Sequence, residues 1–169
     1  MAPNYYVIFL AALIPLVIGS IWYNPKVFGT VWMRSSGLSE EEASSGNMAL
    51  IFGLCYVFSV ILGGFLMGFT IHQSSITGLF ATQPDFIDGS NQAMQNIVNA
   101  VSGDGEFAQL HRSFGHGVVH GIIGSILVAL PIISIISLFE RRGWKYTLVH
   151  FGYWLITMAL MGGVICEFL

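Results

Sequence analysis

Four long apolar stretches, at 5–23, 48–71, 114–139 and 146–166, divide this chain, and charged residues almost wholly avoid them. Each is about long enough to cross a hydrocarbon layer of ~30 Å as a helix rising ~1.5 Å per residue. Lipid offers no water to satisfy peptide groups, so such segments are expected to be helical throughout. The pattern predicts an all-α fold: an integral membrane four-helix bundle, one membrane domain over residues 1–169. A partly helical extracytoplasmic insert, 73–113, is expected between spans two and three.

The polar positions predict how the spans are joined. Span one runs into Ile21-Trp22-Tyr23-Asn24-Pro25, where Trp and Tyr suit the headgroup level and Asn-Pro stops the helix. Residues 26–36 mix Val27, Phe28, Val31, Trp32 and Met33 with Lys26 and Arg34, which reads as a short interfacial segment. Ser39-Glu40-Glu41-Glu42 is a capping box that opens a helix, and Gly46-Asn47 is expected to break the chain before span two. Within the insert, 90–102 reads as an amphipathic helix with Met94, Ile97, Val98 and Val101 on one stripe. Gly103-Asp104-Gly105 makes a turn, and Asp104 is expected to cap a helix through Phe107 and Leu110 into span three. Pro131 is expected to kink span three. Gly64-x-x-x-Gly68 and Gly117-x-x-x-Gly121 are small-residue faces that allow close backbone approach, and they predict that spans two and three pack together.

Charge adds an orientation. The chain has only six basic and nine acidic residues, 54 % apolar content and a mean hydropathy of +0.73. Lys26, Arg34, Arg141, Arg142 and Lys145 fall on one side of the spans and Arg112 alone on the other. Basic residues favour cytoplasmic loops, so both termini are expected outside. The absence of a basic n-region and of a small-x-small cleavage site argues against a cleaved signal peptide. Six scattered basic residues exclude a nucleic-acid surface. Cys55 and Cys166 lie at depths roughly 20 Å apart along their helices, too far for a disulfide; they read as small packing residues.

Histidine is the one polar type placed inside the spans. His116 and His120, four apart, project from one face near the outer end of span three. His72 ends span two on that side, Glu167 ends span four there, and His111 lies just outside. Polar groups in lipid are costly and mark candidate functional positions. Three readings stay open: imidazoles locking helices by hydrogen bonds, a proton-handling group, or a site for a metal ion or haem. The metal set is His72, His116, His120 and Glu167, a donor mixture suited to zinc, copper or iron. His150, near the other end of span four, forms a polar stripe with Tyr146, Tyr153 and Thr157, and is expected to bond Ser134 or Ser137. No Gly-x-Ser-x-Gly elbow, phosphate loop, dinucleotide fingerprint or Cys-x-x-Cys is present, so no catalytic residue is assigned and a non-enzymatic role is expected.

The run Trp22-Tyr23-Asn24-Pro25-x-x-Phe28-Gly29-x-x-Trp32 resembles the signature of a family of small bacterial integral membrane proteins classed as a domain of unknown function. His150-Phe151-Gly152-Tyr153-Trp154 and Met161-Gly162-Gly163 are similar to that family's final span. The resemblance implies a four-helix protein of the bacterial inner membrane and transfers no active site; the 73–113 insert is longer than in the shortest members. Physically, Trp22, Tyr23, Pro25, Phe28, Gly29 and Trp32 read as an interfacial anchor. The function favoured by the sequence is an accessory or scaffold subunit, packing through its glycine faces against itself or other membrane chains within the lipid bilayer. The alternatives are a metal- or haem-binding membrane protein centred on the outer histidines and, third, a small oligomeric transporter.

Overall fold

The computed structural model describes residues 4–169, and among them every regular element is helical. Three helices are long and apolar enough to cross a membrane: Met48–Thr70, Phe114–Phe139 and Trp144–Phe168. A fourth qualifies when Tyr6–Trp22 and Pro25–Ser36, bent by 54° against each other, are taken as one broken span.

The first apolar stretch is itself two helices, α1 (Tyr6–Ala11) and α2 (Ile14–Trp22). Pro15 explains the break, since it lacks an N–H and its ring crowds the carbonyl four residues back. A π-helical turn, Pro25–Gly29, follows, then α3 (Thr30–Ser36). Asn24 starts the turn by accepting from the Lys26 amide, 3.0 Å. Gly29 is required there, because a Cβ would stand 2.2 Å from the Tyr23 carbonyl oxygen. The short α4 (Glu40–Ser44) is opened by the expected capping box: the Ser39 hydroxyl accepts from the Glu42 amide, and the Glu42 carboxylate accepts from the Ser39 amide.

Asn47 caps α5 (Met48–Thr70) through its side chain. The polar segment after it holds α6 (His72–Phe80), α7 (Pro84–Ile87) and the amphipathic α8 (Gln92–Val101). The helix expected through Phe107 and Leu110 does not form. Residues 103–112 run as turns, Gly103 adopts a positive φ of 59°, and Ser113 rather than Asp104 caps the next helix. The third apolar stretch is α9 (Phe114–Gly124), a π-helical turn over Ser125–Ala129, and α10 (Leu130–Phe139). The wider turn directly precedes Pro131 and re-routes the hydrogen bonds its ring disrupts, a known use of π-bulges. The last apolar stretch is α11 (Trp144–Phe168).

α11 is the axis of the molecule, touching α1, α2, α3, α5, α9 and α10. In its most apolar window 44 % of residues are buried, against 17 % in each of the other two long apolar helices, so it is the most enclosed of the three. α1 and α2 run antiparallel to it. The Asn4 amide donates to the Leu169 carbonyl at one end (2.8 Å), and the Trp22 indole donates to the Val149 carbonyl at the other (3.0 Å).

The closest helix pair is α9 with α11; α5 also packs on α9, through Phe69 and not through the glycine face expected of it. A Cβ on Gly117 would lie 2.1 Å from the Gly162 carbonyl oxygen, and one on Gly121 would lie 2.1 Å from that of Met158. Gly162 and Gly163 supply the matching small surface of α11, whereas Gly64 and Gly68 face open space. The buried core of Ala11, Leu66, Ile71, Met158, Met161 and Ile165 sits in this same half.

Candidate functional site

Four of the five histidines gather at the end where α5 stops and α9 begins. His72 is placed by a break. Ile71 is buried and extended (φ −106°, ψ 96°), so α5 ends at Thr70 and a new helix starts at His72. The Ser74 hydroxyl donates back to the Ile71 carbonyl and holds this corner. Gln73 reaches across to the turns that follow α8, donating to the carbonyls of Phe107 (3.0 Å) and Leu110 (2.8 Å). His116 and His120 lie one turn apart on α9, whose tight contact with α11 fixes their height.

His72, His116 and His120 each offer a nitrogen, and the three nitrogens all lie within 4.8 Å of one another. Nε2 of His116 is 3.2 Å from Nε2 of His72. Ring centroids are separated by 4.2 Å (His116–His120), 4.9 Å (His72–His120) and 5.1 Å (His72–His116). The His120 tautomer follows from its partner: Nδ1 is 3.1 Å from the His116 carbonyl oxygen, which can only accept, so Nδ1 carries the proton. Nε2 of His120 is then left with a free lone pair. A metal-binding histidine typically has its other ring nitrogen engaged in this way, which sets the tautomer and the ring orientation. Phe69 packs edge-on against His120 at 5.7 Å and supplies an apolar wall.

Two further residues stand close by. His111 lies with its ring 5.2 Å from His116 and 6.5 Å from His72, on a backbone of φ 60°. Glu167 is not among the three converging ligands. It lines a neighbouring cleft of about 760 Å³ together with Arg112, Gln73 and the turns after α8. Arg112 spends its Nε–H on the Cys166 carbonyl, 2.6 Å.

At the opposite end, the motif after span one docks on α11. Trp22 lies on Phe28 (4.3 Å between centroids) and donates to Val149, and Gly152 makes room, since a Cβ there would fall 2.7 Å from the indole. Tyr23 packs edge-on to Trp32 (5.4 Å), and its hydroxyl is 2.8 Å from Nδ1 of His150. The Tyr153 hydroxyl donates to the Pro15 carbonyl, 3.0 Å. So of Trp22, Tyr23, Pro25, Phe28, Gly29 and Trp32, read from sequence as an interfacial anchor, Trp22 and Tyr23 bond to α11 through their polar atoms, Phe28 and Trp32 pack on those two rings, and Pro25 and Gly29 bound the π-helical turn between them. His150 bonds Tyr23, not Ser134 or Ser137; Ser137 donates to the Arg142 carbonyl instead.

The sequence singles out neither Gln73 nor Arg112 as a clamp. Their partners are backbone carbonyls 34 and 54 residues away, which leave no mark on residue type. Comparison of the chain with curated proteins and with solved structures gives no match. Residues 6–166 match the family described as protein of unknown function (DUF1761), and the chain belongs to that family.

Proposed function

We propose that this chain is an integral membrane protein that binds a late first-row transition ion, such as zinc or copper, through His72, His116 and His120. The observation that carries the reading is the 3.2 Å contact between Nε2 of His116 and Nε2 of His72, with a nitrogen of His120 within 4.8 Å of the group and its Nδ1 held by a backbone carbonyl. Nitrogens bound tetrahedrally to one zinc at ~2.0–2.1 Å stand about 3.3 Å apart. Imidazole donors suit zinc, copper and nickel, while calcium and magnesium require oxygen ligands that this cluster lacks. Rings separated by 4.2–5.1 Å enclose a single ion, not the plane of a porphyrin, which supports a metal ion over a haem.

The five-to-one split of basic residues favours both chain ends and this cluster outside the cytoplasm, and the resemblance to a family of small bacterial membrane proteins favours an inner membrane. The accessory-subunit reading stands second. Its support is the open face of Gly64 and Gly68 on α5, where another membrane helix has room to approach. That face specifies no chemistry.

The test is metal analysis of protein purified in mild detergent, followed by equilibrium titration with zinc and copper. About one ion per chain is expected in the wild type, lost in His116→Ala and His120→Ala. Equal metal content in the wild type and in the doubly substituted protein would sink the reading.

A further inference from the structure

We propose that His111, carried on the polar segment outside the spans, is the fourth ligand of this site, closing it as an all-nitrogen tetrahedron. The proposal rests on the metal reading of His72, His116 and His120. In a tetrahedral site of four imidazoles, with metal–nitrogen bonds of ~2.0–2.1 Å, ring centroids stand about 5 Å apart. The His111 ring is 5.2 Å from His116, the spacing of a fellow ligand, and 6.5 Å from His72, outside that spacing, so it stands beside the three converging residues and has to move inward to join them. Its plane lies within 20° of that of His116, a stacked arrangement, so ligation requires the side chain to turn about its own torsions.

The backbone is already set for this. His111 has a left-handed φ of 60°, a conformation that non-glycine residues seldom adopt and that clusters at functional positions. Its carbonyl accepts from the Cys166 thiol (3.5 Å), and the next residue, Arg112, donates to the Cys166 carbonyl (2.6 Å). The corner is therefore tied to the end of α11 from both directions, and only the ring has to move. The His111 side chain is exposed, and its ring contacts are with the histidines His116 and His72, so the rotation trades ring stacking for ligation.

The fourth ligand changes the chemistry expected of the site. Three histidines leave a coordination position for water, as in catalytic zinc centres, whereas a four-ligand set is closed. A closed site holds its ion and ties the polar segment to the spans, and it offers no metal-bound water for hydrolysis.

The test counts nitrogens. Copper(II) is added to the detergent-purified full-length protein, and nitrogen couplings are read by pulsed electron paramagnetic resonance; zinc affinity is measured by competition with a chelator. His111→Asn is the informative variant, because asparagine tolerates a left-handed backbone, and His111→Gly is the second. The wild type should show four coordinated nitrogens. Both variants should show three, with zinc binding weakened by about 100-fold, the upper end of what losing even an outer partner costs. Variants that keep the wild-type nitrogen count and affinity would overturn the role of His111 while leaving the three-histidine site intact. A wild type that binds neither ion, like a His116→Ala control, would remove both.

Discussion

The hydroxyl of Tyr23 and Nδ1 of His150 stand 2.8 Å apart, joining the end of α2 to the second turn of α11. The other ring nitrogen of His150, Nε2, is buried with no partner among the described residues, so this one bond carries the polar satisfaction of the ring. Leaving a buried polar group unpaired costs about 1–3 kcal/mol, and interhelical hydrogen bonds in membrane proteins measure about 0.6–1.7 kcal/mol. Tyr23→Phe should therefore destabilise the protein by about 1–2 kcal/mol in reversible unfolding from mixed micelles. In a His150→Phe background the same change should cost little. Equal losses in both backgrounds would show that the pair is not coupled.

The glycine faces separate by substitution. At Gly117 and Gly121 an added methyl meets backbone atoms of α11, 2.1 Å from the carbonyl oxygens of Gly162 and Met158. Backbone cannot swing aside as a side chain can, and over-packing costs about 1–3 kcal/mol. Gly117→Ala and Gly121→Ala should each lose about that much. Gly64→Ala and Gly68→Ala enter open space and gain helix propensity, up to about 1 kcal/mol each. Equal behaviour of the two pairs would refute the assignment of the close contact to α9 and α11.

That contrast shows what the sequence made legible. Long apolar runs located the three long helices to within two residues, because composition and length suffice for them. The first run breaks at Pro15 and is long enough only together with Pro25–Ser36. Ser39-x-x-Glu42 named its helix start from purely local chemistry. Partner choice is different. The two small-x-x-x-small faces look alike in sequence, and only the position of Gly162 and Gly163 on α11 decides which one is filled. The histidine cluster was half legible: spacing put His116 and His120 on one face, but bringing His72 to them depended on the chain break at Ile71. Glu167 shared the same predicted depth and ended on the neighbouring cleft, since depth along a helix says nothing about direction around it.

Acid should release the start of α4. The Ser39 backbone N–H, and then its hydroxyl, hold the Glu42 carboxyl below its ordinary value of 4.5. A group depressed in the folded state stabilises it above the unfolded value and loses that contribution as pH falls through the folded one. The Ser39 amide resonance should titrate with a midpoint below 4.5, and α4 should fray through the same interval. A Glu42→Gln protein should show a flat Ser39 profile. A midpoint at or above the ordinary value would contradict the capping box.

Metal should stabilise the folded chain through the imidazoles. A ligand that binds only the native state adds RT ln(1 + [L]/Kd), about 2.7 kcal/mol at a hundredfold excess over Kd. The ligands come from two places, His72 at the break after α5 and the pair His116 and His120 on α9, so an ion bound among them resists their separation. Zinc at that excess should raise the unfolding free energy in mixed micelles by about 2–3 kcal/mol, and a chelator should reverse it. Magnesium should leave it unchanged, because a hard ion finds no oxygen ligands here. Combining His116→Ala with His120→Ala should abolish the zinc increment and leave the packing of Gly117 and Gly121 against α11 undisturbed. A zinc increment that survives in that double variant, or one that magnesium reproduces, would mean that the ion acts elsewhere on the chain and that the four histidines meet only to bind one another.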